Sequence, residues 1–85
     1  MIFEYSRSFK KDYKKLSQKI KAAFGVRVEM FILDQHNPIL NNHAIHNPYD
    51  GSRSINISGD IRAIYEIDEN TVTFIRIGSH SELYK

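Results

Sequence analysis

The spacing of apolar residues changes partway along the chain, and this change limits the folds that the chain can adopt. From residue 53 onward, short runs of β-branched and aromatic residues are separated by breaks rich in Gly, Asp and Asn, which is typical of hairpins. In the earlier part of the chain, large apolar residues recur at the three- and four-residue spacing of helices: Phe9, Tyr13, Leu16, Ile20, Phe24, Val28, Phe31 and Ile32. A helical block followed by a block of strands predicts an α+β domain.

Individual elements follow from these patterns. The apolar run Ile2–Tyr5 predicts a strand, and Ser6 is placed to cap the helix after it. Ser17 is predicted to separate two helices. Residues 34–50 contain two prolines and four asparagines with little periodicity, which predicts a long loop. The last predicted elements are three strands, joined by tight turns, at residues 53–57, 61–67 and 72–77.

The predicted architecture is one domain over residues 1–85. It consists of an N-terminal strand, a helical hairpin and a C-terminal three-stranded antiparallel meander, and 85 residues suit a single small core. There is no cysteine, which excludes disulfides and thiol-based zinc or nucleophile chemistry and fits a reducing compartment. The first residues lack the apolar stretch of a signal peptide, and no run approaches membrane-spanning length. We therefore expect a cytoplasmic protein without a membrane partner.

Positive charge is concentrated in the first third of the chain. Residues 1–27 carry eight Lys or Arg against two acids, although the net charge of the whole chain is only +2. Such a block attracts polyanions, but it also fits a solvated helix face that is balanced by an acidic partner. The lysines concerned are Lys10, Lys11, Lys14, Lys15, Lys19 and Lys21.

Several kinds of chemistry lack their motifs. The chain has no phosphate-binding glycine loop, no GxSxG nucleophile motif and no calcium loop, so we expect no cofactor. His36, His43 and His46 lie in the predicted loop, but their spacing does not match an HExxH zinc helix. Four scattered surface histidines are the simpler interpretation, and we expect no metal site.

The segment RIGSHSELYK contains the groups that metal-free RNA cleavage requires. A base must deprotonate the 2′-hydroxyl, an acid must protonate the leaving 5′-oxygen, and cations must stabilise the phosphorane. Histidine suits the proton transfers, arginine suits the phosphate, and an aromatic ring can stack on an unpaired base. The residues alone leave a second interpretation open, in which Arg62 and Arg76 are solvated strand residues and Tyr84 covers the core.

The C-terminal segment GSRSINISGDIRAIYEIDENTVTFIRIGSHSELYK resembles the RelE/ParE superfamily of bacterial toxins, and in particular its YafQ-like mRNA interferases. The predicted strand and lysine-rich helical hairpin also fit, so the resemblance covers nearly the whole chain. It implies a RelE/ParE-like fold with the helical hairpin packed on a mainly antiparallel sheet. RIGSHSELY is its most specific part.

The resemblance also implies roles for individual residues. Arg76 matches the arginine of the last strand, His80 the C-terminal histidine and Tyr84 the terminal aromatic residue. Asp60 matches an acidic residue that opens the middle strand, and Arg62 lies where RelE-like members bind phosphate. His80 would transfer protons, the two arginines would hold the scissile phosphate, and Tyr84 would stack on a nucleotide.

Two positions depart from the family pattern. Asn56 lies where YafQ-like members often have a second histidine, and Ile61 lies where they often have tryptophan. The second acid–base group would then be His43, which matches a histidine in the loop before the meander, or its neighbour His46.

The function implied by the resemblance is that of the toxin of a type II toxin–antitoxin pair. Such a toxin cuts mRNA on the ribosome by metal-independent attack of the 2′-hydroxyl. Its expected partners are a cognate antitoxin, the ribosome and mRNA, and its lysines would contact ribosomal RNA in a salt-sensitive way. Two alternatives are a ParE-like toxin that inhibits DNA gyrase without cleaving RNA, and an RNA-binding module whose active site has decayed.

Overall fold

Both predicted helix starts are confirmed, because a serine side chain caps each one. The Ser6 hydroxyl accepts the Phe9 N–H at 3.0 Å, and the Ser17 hydroxyl accepts the Ile20 N–H at 3.2 Å. The computed structural model describes residues 1–84. Its elements are β1 (Ile2–Tyr5), α1 (Arg7–Lys14), α2 (Gln18–Leu33), a 3-10 turn (Pro38–Leu40), β2 (His43–Ile45), β3 (Ser52–Ser58), β4 (Ile61–Asp68), β5 (Thr71–Ser79) and α3 (His80–Leu83).

The strands form one mixed sheet in the order β1-β5-β4-β3-β2. β3, β4 and β5 form the predicted antiparallel meander, β2 pairs antiparallel with β3, and β1 pairs parallel with β5. The predicted α+β class and the mainly antiparallel sheet are therefore confirmed. Within residues 1–84, no helix is both long and apolar enough to cross a membrane.

The main core lies between the helices and one face of the sheet. Phe74 of β5 is fully buried at its centre, and its ring packs against Phe9 of α1 and Phe24 of α2 at centroid distances of 5.8 and 5.1 Å. The predicted helical face is correct for Phe9, Phe24 and Phe31, which are all buried. It is wrong for Ile32, which is 55% exposed, because the adjacent Phe31 takes the inward position near the end of α2.

Two elements differ from the sequence prediction. Residues 34–50 are not a continuous loop, since they contain the 3-10 turn, whose Leu40 is fully buried, and β2. β2 has only three residues, which is too short to show an alternating pattern. The chain also continues as α3 after β5, where the side chains of Ser79 and Glu82 form a reciprocal capping box.

The opposite face of the sheet carries a second, smaller cluster. Ile45 of β2, Ile64 of β4 and Leu83 of α3 are buried there, and Tyr49 and Tyr84 pack against them. Because side chains alternate along a strand, this face also receives the polar residues of β3 and β4. The cluster fixes α3, and thereby places the end of the described chain over this polar face.

Candidate functional site

A row of residues crosses the sheet on the face opposite the helices. His43 lies opposite Ser54, Ser54 opposite Ile64, and Ile64 opposite Arg76. Residues that lie opposite each other on neighbouring strands share a face. Three strand spacings separate the ends of the row, so the backbones of His43 and Arg76 are about 14 Å apart. This row brings two predicted site residues onto one surface.

A second row lies next to it. Asn56 is opposite Arg62, and Arg62 is opposite Gly78 of β5. Two residues after Gly78, His80 begins α3. Gly78 therefore lies beside Arg62, and His80 follows it two residues later. The family resemblance implies that Arg62 binds phosphate.

Arg76 is held by the carboxylate of Asp12, which was not among the predicted site residues. Asp12 of α1 accepts hydrogen bonds from the Arg76 Nε and Nη2 atoms at 2.6 and 3.3 Å. The same carboxylate accepts the Ile77 N–H at 3.1 Å, in the part of β5 that lies beyond the end of its pairing with β1. The hydrogen bonds that Arg76 donates to Asp12 raise the pKa of Arg76, although partial burial opposes the shift. The guanidinium is therefore fixed in the charged form.

Tyr49 connects Arg76 to α3. Its hydroxyl accepts a hydrogen bond from the Arg76 Nη1 atom at 3.1 Å and donates one to the Leu83 carbonyl at 2.7 Å. Its ring meets the Tyr84 ring nearly edge-on, at 5.8 Å between centroids and 76° between planes. The Tyr84 ring in turn packs against the His80 ring at 4.6 Å. Arg76, His80 and Tyr84 are thus brought together through one tyrosine.

Asp60 and Arg62 lie beside this cluster. Asp60 Oδ1 is 3.5 Å from Arg62 Nη1, and Asp60 Oδ2 accepts the backbone N–H of His80 at 3.4 Å. Asp60 therefore contacts both the middle strand and the start of α3. Its side chain is 63% exposed, so solvent screens the ion pair with Arg62.

Three buried polar atoms in the two rows lack a hydrogen-bond partner within residues 1–84. They are Ser54 Oγ, Asn56 Oδ1 and Arg62 Nη1, and Arg62 Nη1 lies within ion-pair distance of Asp60 without completing a hydrogen bond. Most buried polar atoms in folded proteins are paired, so unpaired ones tend to occur where water or a ligand binds. The polar face has unused donors and acceptors beside the predicted phosphate-binding arginine.

Of the other three histidines, His36 and His46 lie outside the strands of the polar face, whereas His43 lies on that face. His46 follows β2 and is 3.8 Å from Asp50, with both side chains highly exposed. His36 lies in the turn after α2, where its backbone N–H donates to Asp34. His43 shares the face of Arg76, and its Nδ1 atom is 2.8 Å from the Asn41 carbonyl. Within residues 1–84, no group of three or more His, Cys, Asp or Glu side chains is placed to hold a metal ion.

The lysine-rich helix presents different lysines to different surfaces. Two polar clefts of 340 and 260 Å³ border the Asp12–Arg76 pair, and Lys15 lines both while Lys11 lines the smaller one. Lys10 and Lys14 instead border a separate apolar groove. The six lysines predicted to contact RNA therefore do not form one surface.

Asp12 and Tyr49 are site residues that were not predicted from the sequence. Asp12 is surrounded by lysines and Tyr49 lies in the predicted loop, so neither matches a catalytic motif. Their partner Arg76 is 64 and 27 residues away, respectively, and only the folded chain brings them together. The helix α3 did have a local signal, because Ser79-His80-Ser81-Glu82 matches the capping-box pattern.

The solved structures that share this fold include bacterial toxins. Over residues 1–85 the chain matches the family model described as the bacterial toxin of type II toxin–antitoxin system, YafQ. The chain therefore belongs to the YafQ toxin family, and the resemblance found in its sequence is confirmed. Its family description is that of the toxin of a type II toxin–antitoxin system. No curated protein sequence matches the chain significantly.

Three solved structures illustrate the likeness. YafQ from E. coli strain BL21(DE3) is 24% identical, with a TM-score of 0.82, and the match covers 98% of this chain and 97% of that one. YafQ in the E. coli DinJ–YafQ toxin–antitoxin complex is 22% identical, with a TM-score of 0.76 and coverages of 98% and 96%. A metal-bound toxin from Helicobacter pylori is 27% identical, with a TM-score of 0.73 and coverages of 99% and 99%.

Proposed function

We propose that this toxin is an endoribonuclease that cuts mRNA in the ribosomal A site, in the cytoplasm, through attack of the RNA 2′-hydroxyl. The observation that carries the proposal is the cluster in which Tyr49 connects Arg76 to the helix bearing His80 and Tyr84. The cluster combines a fixed cation, an exposed imidazole and an aromatic ring. These are the groups required for proton transfer, phosphate stabilisation and nucleotide stacking.

In the proposed reaction a base removes the proton of the 2′-hydroxyl, and the resulting oxygen attacks the adjacent phosphorus. The bond from phosphorus to the 5′-oxygen then breaks, and an acid gives that oxygen a proton. His80 is our candidate for the main proton transfer, because its side chain is exposed at the start of α3. His43 is the better candidate for the second, since it shares the face of Arg76 whereas His46 lies beyond β2.

Arg76 and Arg62 are proposed to hold the scissile phosphate. Arg76 uses three of its five N–H groups in hydrogen bonds to Asp12 and Tyr49, which leaves two for a phosphate. Arg62 would add a second positive charge, since its side chain is 27% exposed and its backbone lies opposite Gly78. Asp60 would act as a positioning residue, because it contacts both Arg62 and the backbone of His80.

The RNA strand is proposed to reach Arg76 along α1. Lys11 and Lys15 line the clefts beside Arg76, where their charges would contact phosphates on either side of the scissile one. Contacts of this kind are independent of sequence and weaken as salt rises. Tyr84 would stack on a nucleotide next to the cleavage point, since its ring is only partly buried.

The test compares histidine variants in a translation extract. His80→Ala should lower mRNA cleavage about 10²- to 10⁴-fold, the usual contribution of a general acid or base. Arg76→Ala should cost a similar factor through lost transition-state charge stabilisation. His46→Ala is the matched control and should cut normally, whereas His43→Ala should be impaired. The side chains of His43 and His80 are exposed, so His43→Ala and His80→Ala should keep the wild-type fold.

Two further conditions test the reaction class. Cleavage should require ribosomes and should survive a chelator, because the proposed groups need no metal. Loss of cleavage with a chelator and recovery with zinc would contradict this and would indicate that the histidines bind a metal needed for cleavage. If His80→Ala still arrests growth while cellular mRNA stays intact, the nuclease proposal is wrong and a gyrase inhibitor replaces it.

A further inference from the structure

A groove on the other side of α1 from Arg76 combines an apolar floor with a basic rim. Its volume is 470 Å³, and it is lined by Tyr5, Tyr13 and Phe24 with Lys10 and Lys14 beside them. The two lysines are one helical turn apart, so they project from the same side of α1. A site of this size accommodates the apolar side chains of a bound segment.

The rings of the groove are already stacked within the protein. Tyr5 lies nearly parallel to Phe74 at 6.0 Å, and Tyr13 lies nearly parallel to Phe9 at 5.8 Å. The Lys21 ammonium group is 5.3 Å from the centre of the Tyr13 ring. Nucleotide stacking needs a free ring face, and these contacts already occupy one face of Tyr5 and one face of Tyr13. The groove therefore favours aliphatic or aromatic side chains of a protein over RNA bases.

We propose that this groove binds an acidic segment of the cognate antitoxin. One or two apolar side chains of that segment would enter the ring-lined floor, and carboxylates on either side of them would pair with Lys10 and Lys14. Charge complementarity supports this occupant, because residues 1–27 carry eight basic side chains against two acidic ones. The proposal rests on the family assignment and is independent of the nuclease mechanism.

The arrangement separates two functions on one helix. Lys11 and Lys15 border the clefts at Arg76, whereas Lys10 and Lys14 border the groove. The two lysine pairs have the same spacing and charge, and all four side chains are exposed. They therefore provide matched charge reversals that differ only in the surface they affect.

The test measures the affinity of the purified toxin for its full-length cognate antitoxin by calorimetry. Each toxin variant is separated from the antitoxin in denaturant and refolded, and its circular dichroism is compared with that of the wild type. Lys10→Glu/Lys14→Glu should weaken binding about tenfold or more, because two attractions become repulsions. Lys11→Glu/Lys15→Glu should change it less than about threefold. Tyr5→Ala, which removes part of the exposed floor, should also weaken binding.

Three results would overturn the proposal. The first is wild-type affinity in Lys10→Glu/Lys14→Glu, and the second is an equal loss in both double variants, which would indicate general electrostatic attraction. The third is a loss of ribosome co-sedimentation in Lys10→Glu/Lys14→Glu with antitoxin affinity intact, which would assign the groove to RNA. The affinity measurement contains neither RNA nor ribosomes, so a failure of the nuclease proposal would leave it unaffected.

Discussion

Replacing Tyr49 by phenylalanine tests whether the hydroxyl that joins Arg76 to α3 matters for cleavage. The substitution removes two hydrogen bonds, at 3.1 Å to Arg76 Nη1 and at 2.7 Å to the Leu83 carbonyl, and it keeps the ring that packs on Tyr84. Arg76 remains bound to Asp12, so its guanidinium is displaced and not lost. The expected effect is therefore a positioning defect.

The size of each effect can be worked out from these contacts. A neutral hydrogen bond contributes about 0.5–1.5 kcal/mol and one to a charged group about 1.5–3 kcal/mol. The Arg76 side chain is 29% exposed, so solvent replaces part of its bond, and we expect Tyr49→Phe to cost about 1–2 kcal/mol. For a domain of this size, that lowers Tm by about 4–16 °C. A displacement of about 1 Å at the phosphate site can cost 10²-fold in rate, so we expect kcat to fall about 10- to 100-fold.

The assay is multiple-turnover cleavage of mRNA on programmed ribosomes, with kcat and KM measured separately. The matched control is Tyr84→Phe, because the Tyr84 hydroxyl makes no hydrogen bond within residues 1–84 while its ring makes similar contacts. We expect that control to cut normally, with a stability change within about 0.5 kcal/mol. A normal kcat in Tyr49→Phe despite a lower Tm would refute the positioning role. Equal loss in Tyr84→Phe would refute it as well.

Four further substitutions test the structure around the site and in the core by thermal or chemical denaturation. Asp12→Asn should cost about 2 kcal/mol, since the Asp12 side chain is only 17% exposed and pairs with Arg76, whereas exposed Asp60→Asn should cost less than about 1 kcal/mol. Leu83→Ala should cost about 2–3 kcal/mol and also reduce cleavage, because Leu83 anchors α3. Burial raises the pKa of Tyr65 above 10.0, so the unfolded chain loses this proton first as pH rises. Stability should thus be unaffected by Tyr65 below about pH 10 and decline above it, and Tyr65→Phe should reduce that decline.

The parts of the fold that follow local rules were predictable. The bounds of β1 match the structure, the meander strands are within two residues of their predicted ends, and Ser6 and Ser17 begin the two helices. Caps, periodicity and turn residues act over a few positions, so the sequence contains the necessary information. The capping box of Ser79 and Glu82 is equally local, and this pattern in the sequence is sufficient to predict the start of α3.

The candidate site likewise contains residues that the sequence predicts and residues that it does not. Arg76, His80 and Tyr84 were selected because they lie within nine residues and match a family pattern, and the structure brings them together. Asp12 and Tyr49 carry no local signal, since an aspartate among lysines and a tyrosine in a loop are common.

The sequence by itself therefore determined the class of fold and the chemistry available at the end of the chain. Only the tertiary structure decided how that chemistry is held and which lysines face it. The Asp12–Arg76 contact spans 64 residues, and it forms because β1 stops pairing with β5 before Ile77, where α1 supplies a carboxylate. Lys10 and Lys11 are neighbours in the chain but lie on different surfaces, since successive residues of a helix point about 100° apart. Contacts of this range depend on sheet order and helix packing, which short sequence patterns do not record.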